Sequence, residues 1–206
     1  MVQNLENISF SYPGSSDLVL DKLSVSIGVG ERIGLVGQSG SGKSTLCDLI
    51  LGLLEPSSGT ISVDGKVIDR SNIQGWQNIV GYVPQEVFLI DDSVYRNVAG
   101  ITSLSEEQEM KVRKACSIAA ASEFIEKLPA GYDTRLGDNA VLLSGGQKQR
   151  LGIAKVMYRD VSLIVLDEAT SALDANTEER VLETLDRLPD HVAQIIISHN
   201  IETLRN

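Results

Sequence analysis

One glycine-rich stretch near the N-terminus constrains the fold of this chain more than any other feature. Its residues are Gly37, Gln38, Ser39, Gly40, Ser41, Gly42, Lys43, Ser44 and Thr45. They fit the pattern G-x-x-x-x-G-K-[ST], with an apolar run before them at 32–36 and apolar residues at helical spacing over 44–54. In such a unit, backbone N–H groups converge on an anion, Lys43 places a positive charge beside the outer phosphates, and Ser44 offers a hydroxyl to Mg²⁺. A glycine-rich loop can arise by chance, but the strand before it and the helix after it favour nucleotide binding.

Composition limits the remaining possibilities. The 206 residues fit one domain with a small appended lobe, and the net charge of -10 argues against a nucleic-acid partner or an anionic lipid surface. Cys47 and Cys116 are isolated, which predicts reduced core cysteines rather than a disulfide or a zinc site. No apolar run approaches ~18 residues, and residues 1–9 lack the basic and apolar regions of a signal peptide. Neither direct membrane insertion nor a leader is therefore expected.

The N-terminal third predicts an antiparallel β lobe. Apolar residues alternate over 4–12 and again over 18–27, which is typical of two half-buried strands. Residues 60–63 and 66–68 flank Asp64-Gly65, the signal of a β-hairpin.

Buried parallel strands are predicted in the rest of the core. Continuous apolar runs at 161–166 and 192–197 are separated by an amphipathic helix at 176–188, and a short strand lies at 79–83. Together with the strand before the glycine-rich loop, they predict an α/β P-loop NTPase core built on a parallel sheet.

Between the two halves of this core lies a helical segment. Residues 93–128 lack a strand pattern, Ser105 begins a capping box, and 119–128 is predicted as another short helix. A further helix is predicted over 145–157. The expected division is 1–84 and 160–206 for the β lobe and the core, and 93–158 for a helical lobe.

Polar residues follow several predicted strands, at the edge of the sheet where α/β proteins bind ligands. Asp167 is predicted to bind Mg²⁺, and Glu168 to accept a proton from the water that attacks a γ-phosphate. Gln85 could reach the metal or the water, and His199 the γ-phosphate. If each residue is considered alone, the two carboxylates are more simply solvated surface groups, the histidine is a structural residue, and the glutamine indicates no function. Their common position at strand ends favours a catalytic role.

Ser144, Gly145, Gly146 and Gln147 predict a second anion site. Ser144 suits a helix N-cap, and the two glycines leave the first N–H groups of the following helix accessible. One nucleotide has one set of phosphates, and the glycine-rich loop already holds it. The second anion site therefore suggests that it binds a nucleotide held by another copy of this chain, which implies a dimer.

These motifs resemble, in order, those of the nucleotide-binding domains of ABC transporters. The matching residues are Tyr12 in FSYPG, the Walker A loop Gly37–Thr45, Gln85 of the Q-loop, the signature LSGGQ ending at Gln147, LIVLDE ending at Glu168 (Walker B), Ser171–Asp174 of the D-loop, and the switch histidine His199.

The resemblance implies the ABC ATPase fold and ATP with Mg²⁺ as ligands, with Tyr12 stacked on adenine. It also implies a head-to-tail dimer, expected to be a homodimer, in which each MgATP lies between one chain's Walker A loop and the other's signature. ATP binding and hydrolysis would then drive the transmembrane domain of the same transporter. The expected location is the cytoplasmic face of a membrane, in particular a bacterial inner membrane.

Within this family, residues 93–98 and 131–150 resemble those of exporters whose ATPase and membrane domains are fused in one chain. Residues 75–89 resemble exporters of lipid-linked oligosaccharides or polysaccharides. Asp138 and Ala140 stand where many exporters have Glu and Gly, and Lys155 replaces a common Arg, which is expected to be a neutral surface change.

Two alternatives remain open at this point. One is a soluble ABC ATPase of translation or DNA repair. The other is an inactive regulatory domain, which is disfavoured because Lys43, Asp167, Glu168 and His199 are present. Because family members usually continue beyond the switch histidine, the chain is expected to be part of a longer polypeptide.

Overall fold

A computed structural model describes residues 1–38, 40–137, 143–169, 173–186 and 188–198. The chain forms two compact units. The first unit comprises Met1–Tyr82, Val161–Asp167 and Pro189–Asn206, and the second comprises Val83–Asp160 and Glu168–Leu188.

The described residues form strands and helices with the following bounds. The strands are β1 (Gln3–Phe10), β2 (Leu20–Ile27), β3 (Arg32–Leu35), β4 (Ser58–Val63), β5 (Lys66–Val67), β6 (Val80–Val83), β7 (Leu163–Asp167) and β8 (Ala193–Ile197). The helices are α1 (Lys43–Ile50), α2 (Ile73–Ile79), α3 (Val94–Ala99), α4 (Glu106–Ile118), α5 (Ser122–Ile125), α6 (Gly145–Met157) and α7 (Ala175–Asp186), with a 3₁₀ turn at Gly131–Asp133.

The strands form two sheets. In one, β1 pairs antiparallel with β2 and β4, and β4 continues through the Asp64-Gly65 turn into β5. In the other, the order is β3-β8-β7-β6, and β8 pairs in parallel with both β3 and β7. The predicted antiparallel lobe and the predicted parallel sheet are both confirmed.

Helix α1 lies in a core that it shares with both sheets. Its buried residues Leu46, Cys47, Leu49 and Ile50 pack with apolar side chains of β1, β4, β7 and β8. The backbone carbonyl of Ile50 accepts hydrogen bonds from two buried side chains, Trp76 Nε1 at 2.7 Å and Gln3 Nε2 at 3.4 Å. These donors satisfy a carbonyl that the end of the helix would otherwise leave unpaired.

Helix α1 is shorter than the sequence pattern suggests, because it ends at Ile50 rather than at residue 54. Gly52 adopts a left-handed φ of 68°, and the Leu53 N–H turns back to the Asp48 carbonyl at 2.8 Å. A left-handed glycine of this kind commonly ends a helix. The apolar periodicity continues past it because Leu54 still packs on the core.

Two other helices differ from expectation. Helix α2 was not predicted, because seven residues that include Gly75 and three polar amides give a weak pattern around the buried Trp76. Helix α5 covers only Ser122–Ile125 instead of 119–128, because Ala120 has a φ of 52° that interrupts a continuous helix.

The second unit is helical, and α6 packs against α3 and α4. Ser105 and Gln108 form the predicted capping box at α4, and α6 spans the predicted residues. Within the described ranges, no helix combines the length and the apolar character needed to cross a bilayer.

Candidate nucleotide site

The glycine-rich loop joins β3 to α1 in the first unit. Helix α1 begins at Lys43, so the amides of its first turn have no partner within the helix and are available to an anion. The loop is closed by a hydrogen bond of 3.2 Å from Ser41 N–H to the Gln38 carbonyl. Gly37, Gln38, Gly40 and Ser41 are exposed, as a binding surface requires.

Lys43 lies over the loop that precedes it. Its ammonium donates to the carbonyls of Gly37 at 2.8 Å and Gln38 at 2.9 Å. These two bonds hold the positive charge at the predicted phosphate position. Ser44, the next residue, is exposed and offers its hydroxyl at the start of α1.

Tyr12 is fixed beside the same helix. Its hydroxyl shares a hydrogen bond of 3.0 Å with the buried hydroxyl of Thr45, and its ring meets Phe10 edge-on with a centroid distance of 5.0 Å. The Thr45 side chain is thus engaged by Tyr12, so Thr45 would contact a phosphate through its backbone. Stacking of the exposed Tyr12 ring on adenine stays a prediction.

Asp167 ends β7 and lies next to other acidic groups of the first unit. The Tyr82 hydroxyl donates to its Oδ2 at 3.1 Å. Partial burial, and then the negative charge of Asp167, raise the pKa of Asp48 above its ordinary value. Burial, followed by the charges of Asp167 and Asp48, raises the pKa of the Cys47 thiol to about 12.

The chemical types of two predicted ligands suit Mg²⁺. The Asp167 carboxylate and the Ser44 hydroxyl are hard oxygen donors, the type that Mg²⁺ binds together with substrate phosphates. A divalent cation would also offset the repulsion between Asp167 and Asp48.

Glu168 and Gln85 meet in the second unit. Gln85 Nε2 donates to Glu168 Oε2 at 3.0 Å, so two of the residues predicted at strand ends are in direct contact. Glu168 is half-buried, and its backbone has a φ of 49°, a left-handed conformation that is uncommon for a residue with a side chain. Backbone of this kind often occurs at functional sites.

The start of α6 has the predicted cap. Ser144 Oγ accepts from the Gln147 N–H at 3.3 Å, and Gln147 Oε1 accepts from the Ser144 N–H at 2.9 Å. The Gln147 amide and side chain are therefore engaged in the capping box. The amides of Gly145 and Gly146, which precede the first intrahelical bond, remain as the anion donors of this cradle.

Several predicted residues lie outside the described ranges. They are Ser39, Asp138, Ala140, Ser171, Ala172 and His199. The described part of the predicted D-loop includes Asp174, whose carboxylate accepts from the Thr177 N–H at 3.1 Å and the Thr177 hydroxyl at 2.7 Å. These bonds lower the pKa of Asp174.

Lys155, which was expected to lie on the surface, makes a hydrogen bond within the second unit. Its side chain is half-buried, and its ammonium donates to the Phe88 carbonyl at 3.2 Å, which ties α6 to the segment after Gln85. Burial lowers the pKa of this lysine.

Three residues at or near the site were missed by the sequence reasoning. Tyr82 and Asp48 approach Asp167, and Gln149 contacts the backbone of Gln85 and of Glu168. A signal for Gln149 was available, because it lies at helical spacing with the buried Gly152, Ile153 and Val156 and is therefore a polar residue on an apolar face.

This chain is similar to several known proteins. The sequence profile of the family described as "ABC transporter" matches residues 20–171. ATP-binding cassette sub-family B member 10, mitochondrial, of Mus musculus is 44% identical over 202 residues, which are 97% of this chain and 28% of that protein. An ATP-dependent lipid A-core flippase of Alkalilimnicola ehrlichii is 41% identical over 98% of this chain and 34% of that protein.

A solved structure is also similar. It is a bacterial Atm1-family ABC exporter with ATP bound, with a TM-score of 0.90 and 35% sequence identity over 98% of this chain and 35% of that chain. This chain therefore spans 28% to 35% of the length of these three proteins.

Proposed function

Because this chain is an ATPase domain of the ABC transporter family, we propose that it hydrolyses ATP to ADP and phosphate. The free energy of this reaction would power export across a membrane. The observation that carries the proposal is the placement of the Lys43 ammonium on the Gly37 and Gln38 carbonyls, at the mouth of a loop that opens into α1. The Lys43 ammonium and the unpaired N–H groups of the first turn of α1 together form a phosphate-binding site.

The loop residues Gly37–Thr45 bind the phosphates of ATP, and Tyr12 stacks on adenine. Ser44, Asp167 and the side-chain oxygen of Gln85 would hold Mg²⁺, which when bound neutralises charge on the β- and γ-phosphates. The hydrogen bond from Gln85 to Glu168 uses Nε2, so it does not engage the oxygen of the same amide.

Glu168 acts as the general base. It accepts a proton from a water whose oxygen attacks the γ-phosphorus, while the bond to the β,γ-bridging oxygen breaks and ADP leaves with that oxygen. The Gln85 amide orients the carboxylate, and His199 contacts the γ-phosphate and orients the water.

The site is completed by a second copy of this chain or by a close relative. The capped start of α6, with Ser144, Gly145, Gly146 and Gln147, contacts the phosphates bound to the partner's loop. Homodimer formation is expected to depend on ATP. A transmembrane domain of the same transporter is the other partner, and the proposed location is the cytoplasmic face of its membrane, a bacterial inner membrane in particular.

Export is favoured over a soluble ABC ATPase because the similar proteins are named as a flippase and an exporter. That the exported cargo is a lipid-linked oligosaccharide or a polysaccharide stays a prediction. The export proposal is tested by whether the natural gene encodes, or lies next to, a membrane-spanning domain.

The ATPase and dimer proposals are tested by measuring phosphate release over a range of protein concentrations, with Mg²⁺ or with EDTA. We expect Mg²⁺-dependent hydrolysis whose rate per chain rises with protein concentration, because dimerisation follows mass action. No hydrolysis would contradict the ATPase proposal. A constant rate per chain down to nanomolar protein would contradict the shared site.

A further inference from the structure

Gln149 is a buried amide in the middle of the second unit. The residue is 3% exposed, and its Nε2 donates to the backbone carbonyls of Gln85 and of Glu168, each at 3.4 Å. Both carbonyls belong to residues with a proposed catalytic role. A buried amide placed between them can fix the spacing of the two backbones.

Helix α6 runs along the loop that contains Gln85. Residues at intervals of one turn meet successive positions of that loop: Gln149 meets Gln85, Gly152 meets Val87, and Lys155 meets Phe88. The approach is close, because a Cβ on Gly152 would lie 2.5 Å from Val87 Cγ2. The helix face that carries Gln149 is therefore packed against the loop, and the amide has little room to move.

The Glu168 backbone needs this support. Its φ of 49° is a left-handed conformation that costs free energy in a residue with a side chain, so contacts with its backbone help to keep it. The hydrogen bond from Gln149 to the Glu168 carbonyl constrains that backbone directly. The Glu168 carboxylate is then held at its other end by Gln85 Nε2 at 3.0 Å.

We propose that Gln149 is a positioning residue that aims the Glu168 carboxylate. It holds the carbonyls of Gln85 and Glu168 at a fixed separation, so that the Gln85 amide meets the carboxylate and the left-handed backbone of Glu168 is kept. The role rests on the proposed function of Glu168 as the general base. Gln149 itself contacts neither nucleotide nor water in this role.

Gln149→Met keeps the length of the side chain and removes both donors. We expect kcat for ATP hydrolysis to fall about tenfold to a hundredfold, since a small misplacement of a reacting group costs that much. KM and the dissociation constant for a fluorescent ATP analogue should stay within about twofold of the unmodified chain, because the residues that bind phosphate are untouched.

Gln3→Leu is the matched control. Gln3 is another buried glutamine, and it donates to a single carbonyl at 3.4 Å, that of Ile50 in the first unit. Its replacement removes a buried amide at a distance from Gln85 and Glu168, and it should leave kcat unchanged. Kinetics are measured well below the Tm of every variant, with folding checked by circular dichroism.

Should Gln149→Met fail to fold, Gln149→Asn provides a second variant. Its shorter side chain keeps an amide that cannot span both carbonyls, and it is expected to show the same loss of kcat.

A kcat within twofold of the unmodified chain in a folded Gln149 variant would overturn the positioning role, while hydrolysis by the unmodified chain still supports the proposed function. An equal loss of kcat in Gln3→Leu would also overturn it, because the effect would then follow from lost stability. If the unmodified chain hydrolyses no ATP, the proposed function and this inference fail together.

Discussion

The Tyr82 hydroxyl donates a hydrogen bond of 3.1 Å to Oδ2 of Asp167, so that two neighbouring strands of the parallel sheet meet at their carboxyl ends through these side chains. Burial, and then the charge of Asp167, raise the pKa of the Tyr82 hydroxyl, which keeps it protonated as a donor. Only one oxygen of the carboxylate is engaged by this bond, so the arrangement orients Asp167 while leaving it able to bind a cation.

We therefore expect Tyr82→Phe to weaken the response of the ATPase to Mg²⁺. The Mg²⁺ concentration that gives half-maximal hydrolysis should rise about twofold to tenfold, the range of one modest hydrogen bond. Phosphate release during a Mg²⁺ titration at fixed ATP measures the shift. Tyr158→Phe, in the second unit, is the control and should leave the titration unchanged. An identical Mg²⁺ curve for Tyr82→Phe would show that Asp167 needs no support from this hydroxyl.

Much of the fold follows from local signals in the sequence. Alternating apolar residues identified β1 and β2, the Asp64-Gly65 turn identified the hairpin of β4 and β5, and continuous apolar runs identified β7 and β8. These patterns report which faces of a strand are buried, so they give the strands without any knowledge of their neighbours. For the same reason Asp167 and Glu168 could be assigned to a strand end.

Contacts that depend on strand order could not be predicted in the same way. Tyr82 meets Asp167 because β6 lies beside β7 in the sheet, and no local pattern specifies that order. The contacts of Gln149 and Lys155 depend on how closely α6 approaches a loop that lies 64 to 67 residues away in sequence. Helix ends were also missed where a left-handed residue, Gly52 or Ala120, interrupts an apolar pattern that continues past it.

Removal of the Lys43 ammonium should abolish nucleotide binding. Lys43→Ala deletes the charge that the Gly37 and Gln38 carbonyls hold at the loop, and phosphate binding there depends on that charge as well as on the helix amides. We expect the dissociation constant for a fluorescent ATP analogue to rise at least about a hundredfold, by loss of a charge-assisted contact. Lys66→Ala, on the exposed strand β5, removes the same charge elsewhere and should bind normally. Normal affinity in Lys43→Ala would contradict the assigned loop.

Glu168→Gln should separate binding from hydrolysis. The substitution keeps the size of the side chain and a hydrogen bond to Gln85, but an amide cannot accept the proton of the attacking water. Hydrolysis should fall by about a hundredfold or more, as expected for loss of a general base. ATP binding should persist and trap a dimer, seen by size-exclusion chromatography with and without ATP. Glu179→Gln, an exposed carboxylate of α7, is the control. Unchanged turnover in Glu168→Gln would remove Glu168 as the base.

The buried thiols should report the stability of each unit separately. Cys47 lies in the first unit and Cys116 in the second, and burial is the main cause that raises the pKa of each to about 12. Because the thiolate is the reactive form, labelling by a disulfide reagent at pH 8 should be at least about tenfold slower than in the urea-unfolded chain. Cys116→Ala and Cys47→Ala, each with one remaining thiol, assign the two rates.

The raised pKa values of the two thiols also predict how the stability of the chain changes with pH. A thiol pKa that is raised by folding contributes stability that is fully present below the unfolded value of about 8.5 and is lost as the pH rises toward 12. The Tm should therefore fall as the pH is raised above about 8.5, and it should fall less in each single-thiol variant. MgATP should slow the labelling of Cys47, because a ligand of the loop before α1 stabilises the folded unit that holds this helix. Fast labelling of the native chain at pH 8 would mean that these cysteines are not held in the cores where the structure places them.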